Sequence, residues 1–187
     1  MYITIFYIVS AIWILSEIFL NRFLRSGKSD KKGADKNSEL FIWLVIGVSA
    51  YTGVYLSHVY DVPIYSNGMF AFIGIALILI GIGFRFWAIK QLGRFFTVDV
   101  TIRQDHQLMQ SGFYQYLRHP SYAASLLSFF GFGFSLNSWL SLAIVFIPVL
   151  FSFIHRMNVE EKVLKDQFGE KYIDYMSKTK RIVPFIY

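Results

Sequence analysis

The chain has 187 residues, a length that favours a single domain, and only 16% of them are charged, against roughly a quarter in an ordinary soluble chain. Hydrophobic residues make up 55% and aromatics 19%, more apolar surface than one small core can hide, so a bilayer must cover part of it. Zero cysteines exclude disulfides, thiolate metal ligands and a cysteine nucleophile, and the net charge of +6 lies beside apolar runs, which points to anionic lipid headgroups rather than nucleic acid.

Ile3 to Leu20 is apolar apart from Ser10, Ser16 and Glu17 and predicts a first span. Arg22 and Arg25 follow the run, the reverse of a signal peptide, so the segment reads as a retained anchor. Residues 26–39 are polar, charged and glycine-containing and read as a loop. Leu40 to His58 predicts a second span, and Pro63 with Asn67–Gly68 marks the turn after it. A third span runs from Met69 to about Ile89, each of these runs being near the roughly 20 residues needed to cross hydrocarbon. Gly74, Gly81 and Gly83 lie inside that run with no strand before them, so they predict close helix packing and not a dinucleotide fingerprint.

Residues 90–118 mix basic, aromatic and polar side chains and read as an aqueous or interfacial connector. Tyr122 to Phe134 is apolar but short; a polar break at Ser135, Asn137 and Ser138 precedes a longer run from Trp139 to Ile154. This predicts a helical hairpin with a short or tilted first arm, followed by an amphipathic region over 157–178. The expected fold is therefore all-α and polytopic, with about five transmembrane helices. A three-span region over 1–89 precedes a second region over 90–187.

The 18 Lys and Arg residues fall at 22–36, 85–118 and 156–181, and none lies in 59–68 or 135–138. Five spans place the three basic regions on one side and the two uncharged turns on the other. The positive-inside bias assigns the basic side to the cytoplasm, with the N-terminus outside.

Candidate chemistry concentrates between residues 90 and 187. Arg118 and His119 directly precede Pro120, which restrains His119 to extended backbone and suits the first turn of a helix. A helix start flanked by Arg, His and Ser121 fits an anionic group; interfacial anchoring, with Arg118 snorkelling and Tyr114, Tyr116 and Tyr122 in an aromatic belt, is the reading that composition alone favours. Where the last span leaves the membrane stand His155, Arg156, Glu160 and Glu161. Arg156 and Glu160 share a helix face one turn apart. A solvated helix with pairs such as Glu161–Lys165 and Lys162–Asp166 accounts for the later charges, and less well for Arg156 and Glu160 at the membrane exit, where unpaired charge is expensive. Gly169 reads as a helix stop, and Phe168, Tyr172 and Tyr175 as packing residues. Histidines 58, 106, 119 and 155 show no two-ligand spacing, so no metal is expected, and the serine-hydrolase elbow is missing.

Together, Ser-Gly-x-Tyr-x-x-x-Arg-His-Pro-Ser-Tyr at 111–122, Arg-x-x-x-Glu-Glu-x-x-Leu at 156–164, Phe-Gly-x-x-Tyr-x-x-Tyr at 168–175 and Arg-x-x-Pro at 181–184 resemble the isoprenylcysteine carboxyl methyltransferase family. Membrane methyltransferases acting on phospholipid amines share parts of the pattern. The resemblance covers roughly residues 90–187. It implies an S-adenosylmethionine cofactor held by His106, Gln107, Leu108, Met109, Tyr114, His119, Pro120, Ser121, Tyr122 and Glu160, and it assigns Arg156 to the methyl acceptor. It also implies carboxyl O-methylation of an isoprenylcysteine-like or other lipidic acceptor that enters from the bilayer. A phospholipid amine acceptor, a non-enzymatic membrane module or transporter, and a sterol reductase are the alternatives. Asp99 stands where relatives carry Gln and is not assigned a role.

Overall fold

A computed structural model describes residues 2–24, 31–32, 38–98, 101–102 and 105–184. Six α-helices dominate: α1 Tyr2–Phe23, α2 Ser38–Val59, α3 Ala71–Leu92, α4 Pro120–Ser135, α5 Trp139–Phe168 and α6 Glu170–Lys178. A two-residue antiparallel pair joins β1, Lys31–Lys32, to β2, Thr101–Ile102, across the basic end of the bundle. Asp99 and most of the predicted 26–39 loop lie outside the described residues.

The all-α, polytopic expectation holds. Among the described residues, four helical stretches are long and apolar enough to cross a membrane: Tyr2–Phe23, Ser38–Val59, Gly68–Phe95 and Trp139–Phe168. The fourth predicted span, α4, has 16 residues and falls short of that length, as expected of the hairpin's short first arm. In α5, one helix of 30 residues carries the apolar run past Ile154 straight into the charged segment, which keeps Arg156 and Glu160 on one helix as expected. Gly169, at φ +55°, then breaks it from α6.

Small residues fix the helix contacts. A Cβ on Gly74 would come within 2.6 Å of the Gly131 carbonyl oxygen, and one on Gly81 within 2.7 Å of that of Ala124, so α3 and α4 touch backbone to backbone there. The Ser128 hydroxyl donates across the same seam to the Ile78 carbonyl at 3.3 Å. Gly83 has open space beside it, so the packing role expected of it does not apply. The core combines Phe6, Val9 and Trp13 of α1 with Ile75 and Ile78 of α3, Phe129 and Phe132 of α4, and Val145, Val149 and Phe153 of α5.

At the end of the bundle without basic residues, Asn137 ties the two turns together. Its side-chain oxygen accepts from the amides of Ile64 and Tyr65 at 3.0 Å each, and its amide group donates to the Tyr65 carbonyl. Ser138 then caps α5 by accepting from the Ser141 amide. Outward faces carry Ile8, Leu15, Leu44, Val48, Leu79 and Phe151, all exposed and matched to lipid.

Candidate active site

At the basic end, α3 hands over to the connector through a 3-10 turn at Gly93–Phe95, and a second 3-10 turn over Gly112–Gln115 leads to α4. Gly112, at φ +61°, sits where a Cβ would strike the Gln91 side chain, and that side chain in turn accepts from the Phe113 amide at 3.1 Å. This seats Tyr114, whose hydroxyl donates to the Ala88 carbonyl at 3.3 Å. Pro120 opens α4 at its first turn as the sequence predicts. His119 leaves the helical region but, at φ −126° and ψ 57°, stops short of full extension.

The C-terminal tail lies along this stretch. Arg118 donates its amide to the Lys180 carbonyl at 2.7 Å, His119 to that of Arg181 at 3.0 Å, and Lys180 to that of Tyr116. Arg118 does not snorkel. Its Nε reaches Glu161 Oε1 at 3.0 Å and its Nη1 donates to the carbonyls of Met176 and Thr179. Arg181 closes the other side of Glu161, with Nη2 to Oε2 at 2.7 Å. Glu161 is therefore 2% exposed inside an ion network, and the solvated role expected for it is wrong; Lys162, Lys165 and Asp166 are exposed, as expected. Residues 43 and 20 positions away supply its partners, so no local spacing could announce them.

The His119 ring lies between two carboxylates. Nε2 is 3.3 Å from Glu161 Oε1 and Nδ1 is 3.8 Å from Glu160 Oε2. Glu160 also accepts the Tyr122 hydroxyl at 3.2 Å, while a third of its side chain stays accessible. Arg156, one turn earlier, is 2% exposed. Its guanidinium donates to the Ser38 hydroxyl at the start of α2 and, at 2.7 Å, to the Val98 carbonyl. His155 points outward and is exposed.

A cavity of about 420 Å³ joins these groups. His106, Gln107, Leu108 and Met109 line it, as do Tyr114, His119, Ser121 and Tyr122, and Arg156 and Glu160 complete the predicted set. Pro120, also in that set, is buried and does not line the cavity. His106 sits between the rings of Phe95 and Phe168, with centroids 5.0 and 5.7 Å away. Tyr172 and Tyr175, read as packing residues, are buried as expected and also line the cavity. Tyr175 donates to the Tyr114 carbonyl at 2.6 Å. Burial pushes the hydroxyls of Tyr114, Tyr172 and Tyr175 up from the usual phenol range, so each stays protonated.

The lining also includes residues that the sequence reading did not assign. From α1 come Trp13, Ile14, Glu17 and Asn21; from α2 come Glu39, Ile42, Trp43 and Ile46. Arg85 of α3 joins them. Polar chemistry is thus not confined to residues 90–187. Glu17 did carry a usable signal, because an ionisable residue within an apolar span is a functional candidate in its own right.

The helical bundle thus holds at its basic end a largely apolar cavity edged by Arg118, His119, Arg156 and Glu160. The model of the PEMT family, described as phospholipid methyltransferase, matches residues 69–171, more than half of the sequence, and the chain belongs to that family. It is 37% identical over 116 residues to protein-S-isoprenylcysteine O-methyltransferase B of Arabidopsis thaliana, covering 60% of this chain and 58% of that protein. It is 36% identical over 117 residues to the protein-S-isoprenylcysteine O-methyltransferase of Saccharomyces cerevisiae, covering 61% and 48% respectively. The chain thus spans about half the length of these relatives. The solved structure of the eukaryotic intramembrane Ras methyltransferase ICMT shares the fold, with a TM-score of 0.60 over 80% of this chain and 51% of that one, at 24% identity.

Proposed function

We propose that this protein transfers a methyl group from S-adenosylmethionine to the carboxylate of an isoprenylcysteine-like or other lipidic acceptor at the cytoplasmic face. The carrying observation is one cavity lined both by the polar groups around Glu160 and by apolar faces of α1 and α2. The donor set fits the cofactor. Glu160 is accessible and ready to accept from ribose hydroxyls or an amino group, and neutral tyrosines present ring faces suited to a sulfonium. When bound, S-adenosylmethionine supplies an electrophilic methyl on that sulfonium.

The acceptor chemistry sets what the chain must do. A carboxylate is already ionised at neutral pH, so it needs no general base, only alignment and partial desolvation. Arg156 suits the alignment, because guanidinium takes carboxylate oxygens in a planar fork, and its bonds to Ser38 and Val98 fix the plane of that fork. The acceptor's lipid part reaches the cavity past Ile14, Ile42 and Ile46, and the cofactor reaches it from the basic, cytoplasmic side.

An amine acceptor, as on a phospholipid headgroup, is the second reading. It would need a base, and the placement of His119 between Glu160 and Glu161 favours it as one. Incubating the purified protein with radiolabelled methyl donor and either total membrane lipid or a farnesylcysteine analogue separates the two. Base-labile label marks a methyl ester, base-stable label marks an amine product, and no label with any acceptor overturns both.

A further inference from the structure

Arg85 of α3 extends its guanidinium to two other helices at once. Its Nη2 donates to Glu17 Oε2 at 2.9 Å and its Nε stands 2.8 Å from Glu17 Oε1, one hydrogen bond and one close ion-pair contact on α1. Its Nη1 donates to the Ser121 hydroxyl at 2.9 Å and to the Ser121 carbonyl at 3.1 Å. Ser121 is the second residue of α4, between His119 and Tyr122. All three partners line the cavity.

A staple for α1 would not need this chemistry. Phe6, Val9 and Trp13 already bury α1 against Phe129 and Phe132 of α4 and against α3, with the Trp13 and Phe129 rings 4.7 Å apart, edge to face. An ion pair among apolar helices pays a desolvation cost that apolar packing avoids. The pair also stands at the cavity rather than in the core, its side chains 15% and 19% exposed. What it adds is direction. One nitrogen of the planar group, Nη1, reaches two oxygens of the same residue in the first turn of α4, and the carboxylate of Glu17 on the other two nitrogens sets the angle of that plane.

We propose that Glu17 and Arg85 are positioning residues that aim the start of α4, so that α1 belongs to the active-site machinery although it lies outside the segment matched by the family model. Through Ser121 they fix His119 and Tyr122, and through Tyr122 the hydroxyl that meets Glu160. This rests on the cofactor reading above. Neither residue touches the reacting atoms; they act through Ser121.

The test is made on the full chain in detergent, with S-adenosylhomocysteine as the calorimetric probe and melting temperature as the control. Arg85→Lys keeps a cation beside Glu17 but cannot also span the two Ser121 oxygens. It should weaken probe binding about tenfold, the scale of one charged hydrogen bond, while the fold still melts cooperatively near the wild-type temperature. Glu17→Gln keeps the size, loses the charge, and should weaken binding by a smaller factor in the same direction. In both, the KM for methyl donor should rise and saturating donor should largely restore kcat. A merely structural pair predicts the opposite: lower melting temperature with wild-type probe affinity and wild-type KM in the folded protein, which overturns the proposal. If Arg85→Lys fails to fold, Glu17→Gln decides by the same two readouts. Wild-type protein that does not bind the probe removes the cofactor reading itself, a different failure from wild-type binding with unaltered variants.

Discussion

Glu160 and Glu161 are neighbours on α5 with opposite surroundings: Glu160 keeps a third of its side chain accessible and accepts the Tyr122 hydroxyl, whereas Glu161 is 2% exposed between Arg118 and Arg181. The same charge on consecutive residues therefore does two jobs. Glu160→Gln keeps the shape and removes the negative charge, and is expected to weaken S-adenosylhomocysteine binding by about 1.5–3 kcal/mol, the range for a hydrogen bond to a charged group. Glu161→Gln leaves two arginines without their counter-charge and is expected to cost about 3 kcal/mol of stability, the lower end for a broken buried ion pair because Arg181 is partly open to water. Calorimetry and thermal unfolding on both variants check the split. Equal melting temperatures would remove the structural role given to Glu161.

Arg156→Lys preserves charge but not the fork that joins Ser38 and Val98. Cofactor affinity is expected to stay close to wild type while turnover on a carboxylate acceptor falls. Ser38→Ala, which frees one side of the same guanidinium, should lower turnover by less. Loss of probe binding in Arg156→Lys would move the acceptor pocket elsewhere.

The α3–α4 seam gives a prediction that needs no ligand. Gly81→Ala forces a methyl toward the Ala124 carbonyl oxygen, a backbone atom that cannot rotate away, and is expected to destabilise by about 1–3 kcal/mol through overpacking. Gly83→Ala meets open space and should melt at or slightly above the wild-type temperature, since alanine favours the helix. Similar melting of the two variants would deny the close contact.

Orientation is tested by labelling. A cysteine at Asn67, exposed in the turn before α3, is expected to react with an impermeant thiol reagent in intact cells, and one at Lys32 is not. The reverse pattern would place the cavity mouth on the outside.

Much of the bundle was legible because long apolar runs leave few choices. The predicted first and second spans differ from α1 and α2 by three residues or fewer at each end. The end of α5 at Gly169 was legible, but the burial of Glu161 was not, because Arg118 and Arg181 reach it from distant segments. The predicted site residues other than Pro120 meet in one cavity because the start of α4 and the charged stretch of α5 lie at the same end of two helices that pack together, with the connector residues His106–Met109 and Tyr114 beside them. Trp13 and Trp43, unlike Glu17, were not legible as wall residues. Their helices are apolar on nearly every face, so composition does not say which side turns inward.

A last consequence follows from the length of α4. Its 16 residues measure about 24 Å at the α-helical rise, against a hydrocarbon layer of about 30 Å. Most of its side chains are buried against other helices, so lipid does not set its length, and it is exempt from the thickness matching that governs its neighbours. The shortfall of about 6 Å belongs to a helix whose first turn, at Ser121 and Tyr122, lines the cavity. Under the reaction proposed above, a water-borne donor would meet a lipid-borne acceptor below the headgroup level while the acceptor's tail stays among the lipid chains.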